Sequence, residues 1–98
     1  MQMFFYITCA NTKEAKKISS VLVKKKMIAC ANIFTNIQSV FLWKKKVNFS
    51  KEVIIMGKTT KKLQTKIISE VKKIHSYNVP CIVYVSYTQQ TLPTNREV

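Results

Sequence analysis

The chain is poor in the residues from which phosphate loops and catalytic triads are built. Its 98 residues include one glycine, two prolines, one histidine, one arginine and no aspartate. A lone glycine, Gly57, excludes a glycine-rich loop, in which several small residues let backbone N–H groups close around a phosphate. With one histidine and no aspartate, a nucleophile, base and orienting acid cannot be assembled in the usual way. The four glutamates have no spacing that would pair two of them as a hydrolytic acid and base. A non-enzyme is therefore expected. Cys9, Cys30 and Cys81 are an odd number, none lies in a CxxC pair, and no histidine neighbours them in sequence. Free thiols in a reducing compartment fit this better than a disulfide scaffold or a closed zinc site. No apolar run approaches the roughly 20 residues that span a bilayer, so no transmembrane segment is expected. The opening "MQMFFYITCANT" lacks the basic segment of a secretory signal, which points to a cytoplasmic protein. This length, without a long low-complexity stretch, fits one domain over 1–98 with a modest core.

Lysine is what the chain has in excess. The net charge is +13, with 17 Lys+Arg against four acids, and Arg96 is the one arginine. Such a balance points toward nucleic acid or an anionic surface. Base and phosphate readout, however, favours the planar fork of arginine over the point charge of lysine. Biased codon usage also produces a lysine excess. A dedicated nucleic-acid function is therefore not expected, and non-specific polyanion binding through lysine faces is the reading carried forward.

Aromatic and β-branched residues in "MFFYITC" predict a strand over 3–9. Asn11 or Thr12 is placed to cap a following helix in which Ala15, Ile18 and Leu22 recur at helical spacing and the other face is lysine. "MIACANIF" and "IQSVFLWKKKV" read as strands separated by Thr35 and Asn36, and "KEVIIMGKT", after the polar break at 48–50, as a further strand-length segment or a continuation of the preceding one. Leu63, Ile67, Val71 and Ile74 recur along a second amphipathic helix, from about Thr60 to His75. Pro80 ends that connection, and "CIVYVSY" supplies a last strand.

This order matches a ferredoxin-like split βαβ sandwich of the α+β class, with an antiparallel sheet and both helices on one of its faces. The strands are apolar on both sides. Phe5, Ile7 and Cys9 alternate with Phe4 and Tyr6, and Val53 and Ile55 alternate with Ile54 and Met56. Two helices cover one set, so the other is expected to pack against another protein surface, most simply a second copy.

Several stretches taken together resemble the CutA divalent-cation tolerance family. They are "CANTKEAKKISSVLVKKKMIACANI", "SVFLW", "KEVIIMGKT" and "VKKIHSYNVPCIVYV", in that order, covering about Tyr6 to Tyr87. The resemblance implies a ferredoxin-like subunit in a compact homotrimer, a role in copper and divalent-metal tolerance, and metal held by cysteine or histidine. A likeness in architecture to PII-type signalling trimers leaves open a regulatory reading with an unknown protein partner. Three departures stand out: Lys44 follows Trp43 where glycine is usual, Cys81 follows Pro80 where an acid is common, and the tail from about 88 lacks the usual closing aromatic segment.

The candidate metal ligands are Cys9, Cys30 and His75, with copper or another divalent ion as the cofactor. Thiolates select Cu(I), provided that two of them converge, and imidazole is a common copper and zinc ligand. Against this stand plainer readings. Cys30 between alanines suits a small buried hydrophobe, and His75 suits the cap of a helix C-terminus. Trp43, Glu52, Lys58 and Tyr77 are the remaining polar and aromatic members of the resembling stretches and are assigned to a cleft between subunits. An ordinary lysine ion pair for Glu52 and a filler role for Trp43 are the alternatives.

Overall fold

The computed structural model describes residues 2–77 and 81–86. Six elements follow one another: β1 (Gln2–Cys9), α1 (Thr12–Lys24), β2 (Cys30–Trp43), β3 (Lys46–Thr60), α2 (Gln64–Ile74) and β4 (Ile82–Ser86). A 3-10 turn, Lys61–Leu63, leads into α2. The sheet is antiparallel in the order β2-β3-β1-β4, so the first strand lies inside it, as a split βαβ pattern requires. Pro80 and the tail from 88 lie outside the described residues.

Alternation along β1 sets the layers. Phe5, Ile7 and Cys9 face the helices and are fully buried, where they meet Ala15, Ile18 and Leu22 of α1 and Ile67 and Val71 of α2. Val53 and Ile55 of β3 complete this core. The one glycine sits in it for a steric reason. Gly57 is paired with Phe5 across the ladder, and a Cβ there would lie 2.5 Å from the Phe5 ring and 2.6 Å from the Cys30 carbonyl oxygen.

The opposite sheet face carries Phe4, Tyr6, Met56, Val83 and Val85, which outline an apolar depression of about 270 Å³. No helix covers it in the described chain.

Two strand expectations are corrected. "MIACANIF" and "IQSVFLW" are one strand rather than two: β2 runs from Cys30 through Thr35 and Asn36, absorbing the polar pair as a register shift between Phe34 and Ile37. Asn36 takes φ 59° there, a left-handed conformation that asparagine tolerates better than most residues. The second lysine run is a turn at its first two residues, and Lys46 already opens β3. Lys44 and Lys45 take φ 51° and 64°, joining β2 to β3 in the twist-matched geometry of a two-residue hairpin, usually the place of Asn-Gly. The polar segment 48–50 therefore lies within β3, and Glu52, expected to open a strand, sits near its middle.

Candidate functional site

The ends of β1, α1 and α2 converge on Cys9. At the start of α1, the Asn11 side chain accepts the Glu14 N–H at 2.8 Å, a side-chain N-cap. Glu14 reaches back, accepting the Ala10 N–H at 2.9 Å on one oxygen and the Ser76 N–H at 2.7 Å on the other. Its carboxyl is pushed up by desolvation, but the N–H donors outweigh that and hold it below the usual carboxylate range. One side chain thus closes a helix start and ties it to the exit of α2.

His75 ends α2, its backbone N–H donating to the Val71 carbonyl at 2.8 Å. Its buried ring lies across to β1, with Nε2 2.7 Å from the Thr8 carbonyl, while Nδ1 accepts the Tyr77 N–H at 3.0 Å. A carbonyl only accepts and a backbone N–H only donates, so both contacts are met by the neutral ring protonated at Nε2. The 3.9 Å approach of Nδ1 to Glu14 is accordingly not an ion pair in this arrangement. Both ring nitrogens are committed to the backbone, so His75 joins helix to strand and is not a free charge on the helix dipole.

Tyr77 extends the network. Its ring lies 4.7 Å from that of His75, and its hydroxyl donates to Glu52 at 2.7 Å. Burial and that hydrogen bond both raise the phenol and keep it a donor. The ordinary reading of Glu52, a lysine ion pair, gives way to this phenol contact among the described residues.

Cys9 completes the cluster. Its sulfur, a Glu14 oxygen and a His75 nitrogen all lie within 4.8 Å of one another. Burial, followed by the charges of Glu14 and Glu52, pushes the Cys9 thiol up to about 12. By donor type the trio suits a borderline ion. In the present arrangement, however, His75 has no lone pair free and both Glu14 oxygens accept N–H bonds. A metal fits only if the Tyr77 N–H bond opens and the thiol loses its proton.

The sequence-based site residues are only partly gathered. Cys9 and His75 meet, and Glu52 meets Tyr77. Cys30 does not join them: it opens β2, is exposed, and is paired with Lys58, whereas Cys9 is paired with Val53. Five residues of β3 separate those positions, about 17 Å of strand, so the expected convergence of two thiols on one metal is corrected, as is the reading of Cys30 as buried filler within the chain. Lys58 lines a separate cavity of about 560 Å³ with Val23, Lys26, Met27, Ile28 and Leu63. Trp43 is 62% exposed at the hairpin tip, far from both. Cys81 is an exposed free thiol whose carbonyl accepts from Thr8 N–H at 3.3 Å. Sequence reasoning missed Glu14. The signal was present, since an asparagine three residues ahead of a glutamate at a helix start is the pattern of a reciprocal cap.

This geometry has relatives. Over 82 residues the chain is 40% identical to the divalent-cation tolerance protein CutA of Archaeoglobus fulgidus, covering 84% of this chain and 79% of that protein. The chloroplastic protein CutA of Arabidopsis thaliana is 32% identical over 83 residues, 85% of this chain. The chain spans about half the length of the plant and human relatives, 46% and 49% respectively. The solved structure of the periplasmic divalent cation tolerance protein CutA from Archaeoglobus fulgidus superposes with a TM-score of 0.87 at 36% identity, covering 93% of this chain and 88% of that one.

These names overturn the cytoplasmic expectation, since one relative is described as periplasmic and another as chloroplastic. Compartment is specified by address signals that the fold does not contain, so the composition of the domain was a poor guide to it. No helix among the described residues is long and apolar enough to cross a membrane. The family model described as CutA1 divalent ion tolerance protein matches residues 3–93, and the chain belongs to that family.

Proposed function

We propose that this divalent-ion tolerance protein acts as a homotrimer that binds copper or another divalent ion without catalysing a reaction. The observation that carries the metal reading is the meeting of Cys9, Glu14 and His75 within 4.8 Å at the junction of three elements. Thiolate, carboxylate and imidazole are the donor types such ions take. Cys30 is a second, accessible thiol that engages soft ions separately. The non-catalytic reading is supported by the residue inventory, which holds one histidine, no aspartate and a single glycine. Self-assembly is supported by the uncovered apolar sheet face and by the exposed hairpin residues Leu42, Trp43 and Phe49.

A competitive Cu(I) and Zn(II) titration of the reduced protein tests the site, with Cys9→Ser, Cys30→Ser and His75→Ala alongside. Cys9→Ser and His75→Ala are expected to weaken binding at least tenfold and Cys30→Ser less than threefold. The reverse order moves the site to the exposed thiol, and three unchanged affinities withdraw these ligands. Sedimentation equilibrium reads the trimer directly, and a monomer at micromolar concentration removes it.

A second reading is a regulatory trimer that binds a small anion and reports it to a protein partner. The cavity at Lys58 favours it, with two lysines at an otherwise largely apolar wall. Trp43 and the Glu52–Tyr77 pair lie elsewhere in the chain, so an intersubunit cleft containing all four requires residues from different copies. A thermal-shift screen of anionic metabolites, repeated on Lys58→Gln, is expected to give stabilisation that the variant loses. No shift at millimolar ligand ends this reading.

A further inference from the structure

The helical layer presents a charge pattern that the cluster at Cys9 does not use. Lysine recurs with the same spacing in both helical segments: Lys13, Lys17 and Lys24 along α1, and Lys62, Lys66 and Lys73 along the 3-10 turn and α2. Every one of these is exposed. Spacings of four and eleven residues return to one side of a helix, and the buried positions Ala15, Ile18, Leu22, Ile67 and Val71 occupy the other. Each row is about 16 Å long.

The rows lie on one face because both helices cover the same side of the sheet. Lys25 of the α1 exit donates to Glu70 of α2 at 2.6 Å, linking the two helices. Little opposes their charge. Glu14 is turned inward onto backbone N–H groups, and Glu70 is matched by Lys25 and, at 3.8 Å, by Lys73. Among the described residues these are the only acids on the layer.

The face also lacks what other polyanion partners need. An interfacial membrane helix anchors by large apolar side chains, and among the described residues Val23 is the one large hydrophobe exposed on this layer, the other exposed ones lying on the sheet. Single strands are held by stacking on aromatics, and α1 and α2 contain none. Base readout favours arginine, which both helices also lack. Point charges in rows, without anchors, stacking platforms or forks, complement a regular duplex phosphate backbone, which offers a charge per strand every 3.4 Å or so of axis.

From this complementarity we infer that the α1–α2 layer is a sequence-independent binding surface for the phosphate backbone of duplex nucleic acid. It lies on the side of the sheet opposite the apolar face, so self-association and duplex binding do not compete for the same residues.

The test is fluorescence anisotropy of the full chain with two labelled 20-base-pair duplexes of unrelated sequence, titrated between 50 and 200 mM salt. Both duplexes are expected to bind alike, with log K falling against log salt at a slope of about −4, as for four or five phosphate contacts. The variant Lys13→Gln, Lys17→Gln, Lys62→Gln, Lys66→Gln is expected to lose at least tenfold in affinity at 50 mM and half of the slope. Removing the same charge from the hairpin side, by Lys44→Gln, Lys45→Gln, Lys46→Gln, Lys51→Gln, is expected to cost less than threefold. Equal losses in the two variants, a tenfold preference for one sequence, or no binding at 50 mM overturns the inference. So does capture by phosphatidylserine vesicles without duplex binding, which assigns the face to membranes. The salt slope and sequence independence of the unmodified chain stand as readouts even if a variant fails to fold.

Discussion

The two ends of the β2–β3 ladder share a hydrogen-bonding pattern and an apolar composition, but not an environment. At one end Ala31 and Ile33 pack against a core closed by α1 and α2, opposite Gly57 and Ile55. At the other, Val40, Leu42, Trp43, Val47 and Phe49 are each about 60–70% exposed. No helix among the described residues covers these side chains. Apolar alternation makes a strand in both places. Only the covered end gains the transfer free energy of burial, about 25 cal/mol per Å² of apolar area, within its own chain. The hairpin has apolar strand residues with the exposure of a surface, and it is the surface that the proposed self-assembly would cover.

The largest effect is expected at the covered end. Gly57→Ala places a methyl group against the Phe5 ring and the Cys30 carbonyl, and the backbone oxygen cannot swing aside. A loss of about 3 kcal/mol is expected in urea unfolding. A loss under 1 kcal/mol would show that the ladder there shifts freely.

At the hairpin, the pair Leu42→Ser and Phe49→Ser is expected to change the unfolding of the dissociated chain by no more than about 0.5 kcal/mol each. Assembly measured by sedimentation should nevertheless weaken at least tenfold. Equal damage to both measurements would mean that the hairpin stabilises its own chain.

Lys45→Gly is expected to act in the opposite direction. The residue holds φ 64°, a conformation that costs a side chain about 1 kcal/mol relative to glycine, so the variant should be more stable by roughly that amount. An unchanged midpoint would mean that the turn is held open by something other than its own dihedrals.

The smallest effect concerns the Lys25–Glu70 link between the helices. The hydrogen bond from Lys25 is the main cause that lowers the Glu70 carboxyl below its usual 4.5. A carboxyl lowered in the folded state contributes stability above the unfolded value, and that contribution is lost as pH falls through the folded one. Thermal unfolding followed below pH 5 should show a slightly shallower acid loss for Glu70→Gln, and the difference should shrink in high salt. A steeper loss would contradict the sign.

The positions of the elements were legible because periodicity is a local signal. Ile67 and Val71 announced α2, and Phe5 and Ile7 announced the buried side of β1. The break expected at Thr35 and Asn36 failed because a bulge absorbs polar residues without ending a strand. Lys44 and Lys45 were hidden as a turn because lysine occupies positions where asparagine and glycine normally signal one. At the candidate site, Cys9, His75, Glu52 and Tyr77 could be nominated from their types and stretches and Glu14 was announced only as a helix cap, whereas the Glu14–Ser76 and Tyr77–Glu52 contacts, across 62 and 25 residues of chain, were set by the fold.

The class of fold, the lysine excess and the mismatch between two apolar sheet faces and two helices were all readable along the chain. These are properties of pattern and composition, which need no knowledge of contacts. The tertiary structure alone decided which thiol meets His75. Cys9 and Cys30 are similar in sequence context, yet β-register fixes them about five residues apart along β3, because hydrogen-bond pairing between strands, and not residue type, sets distance across a sheet.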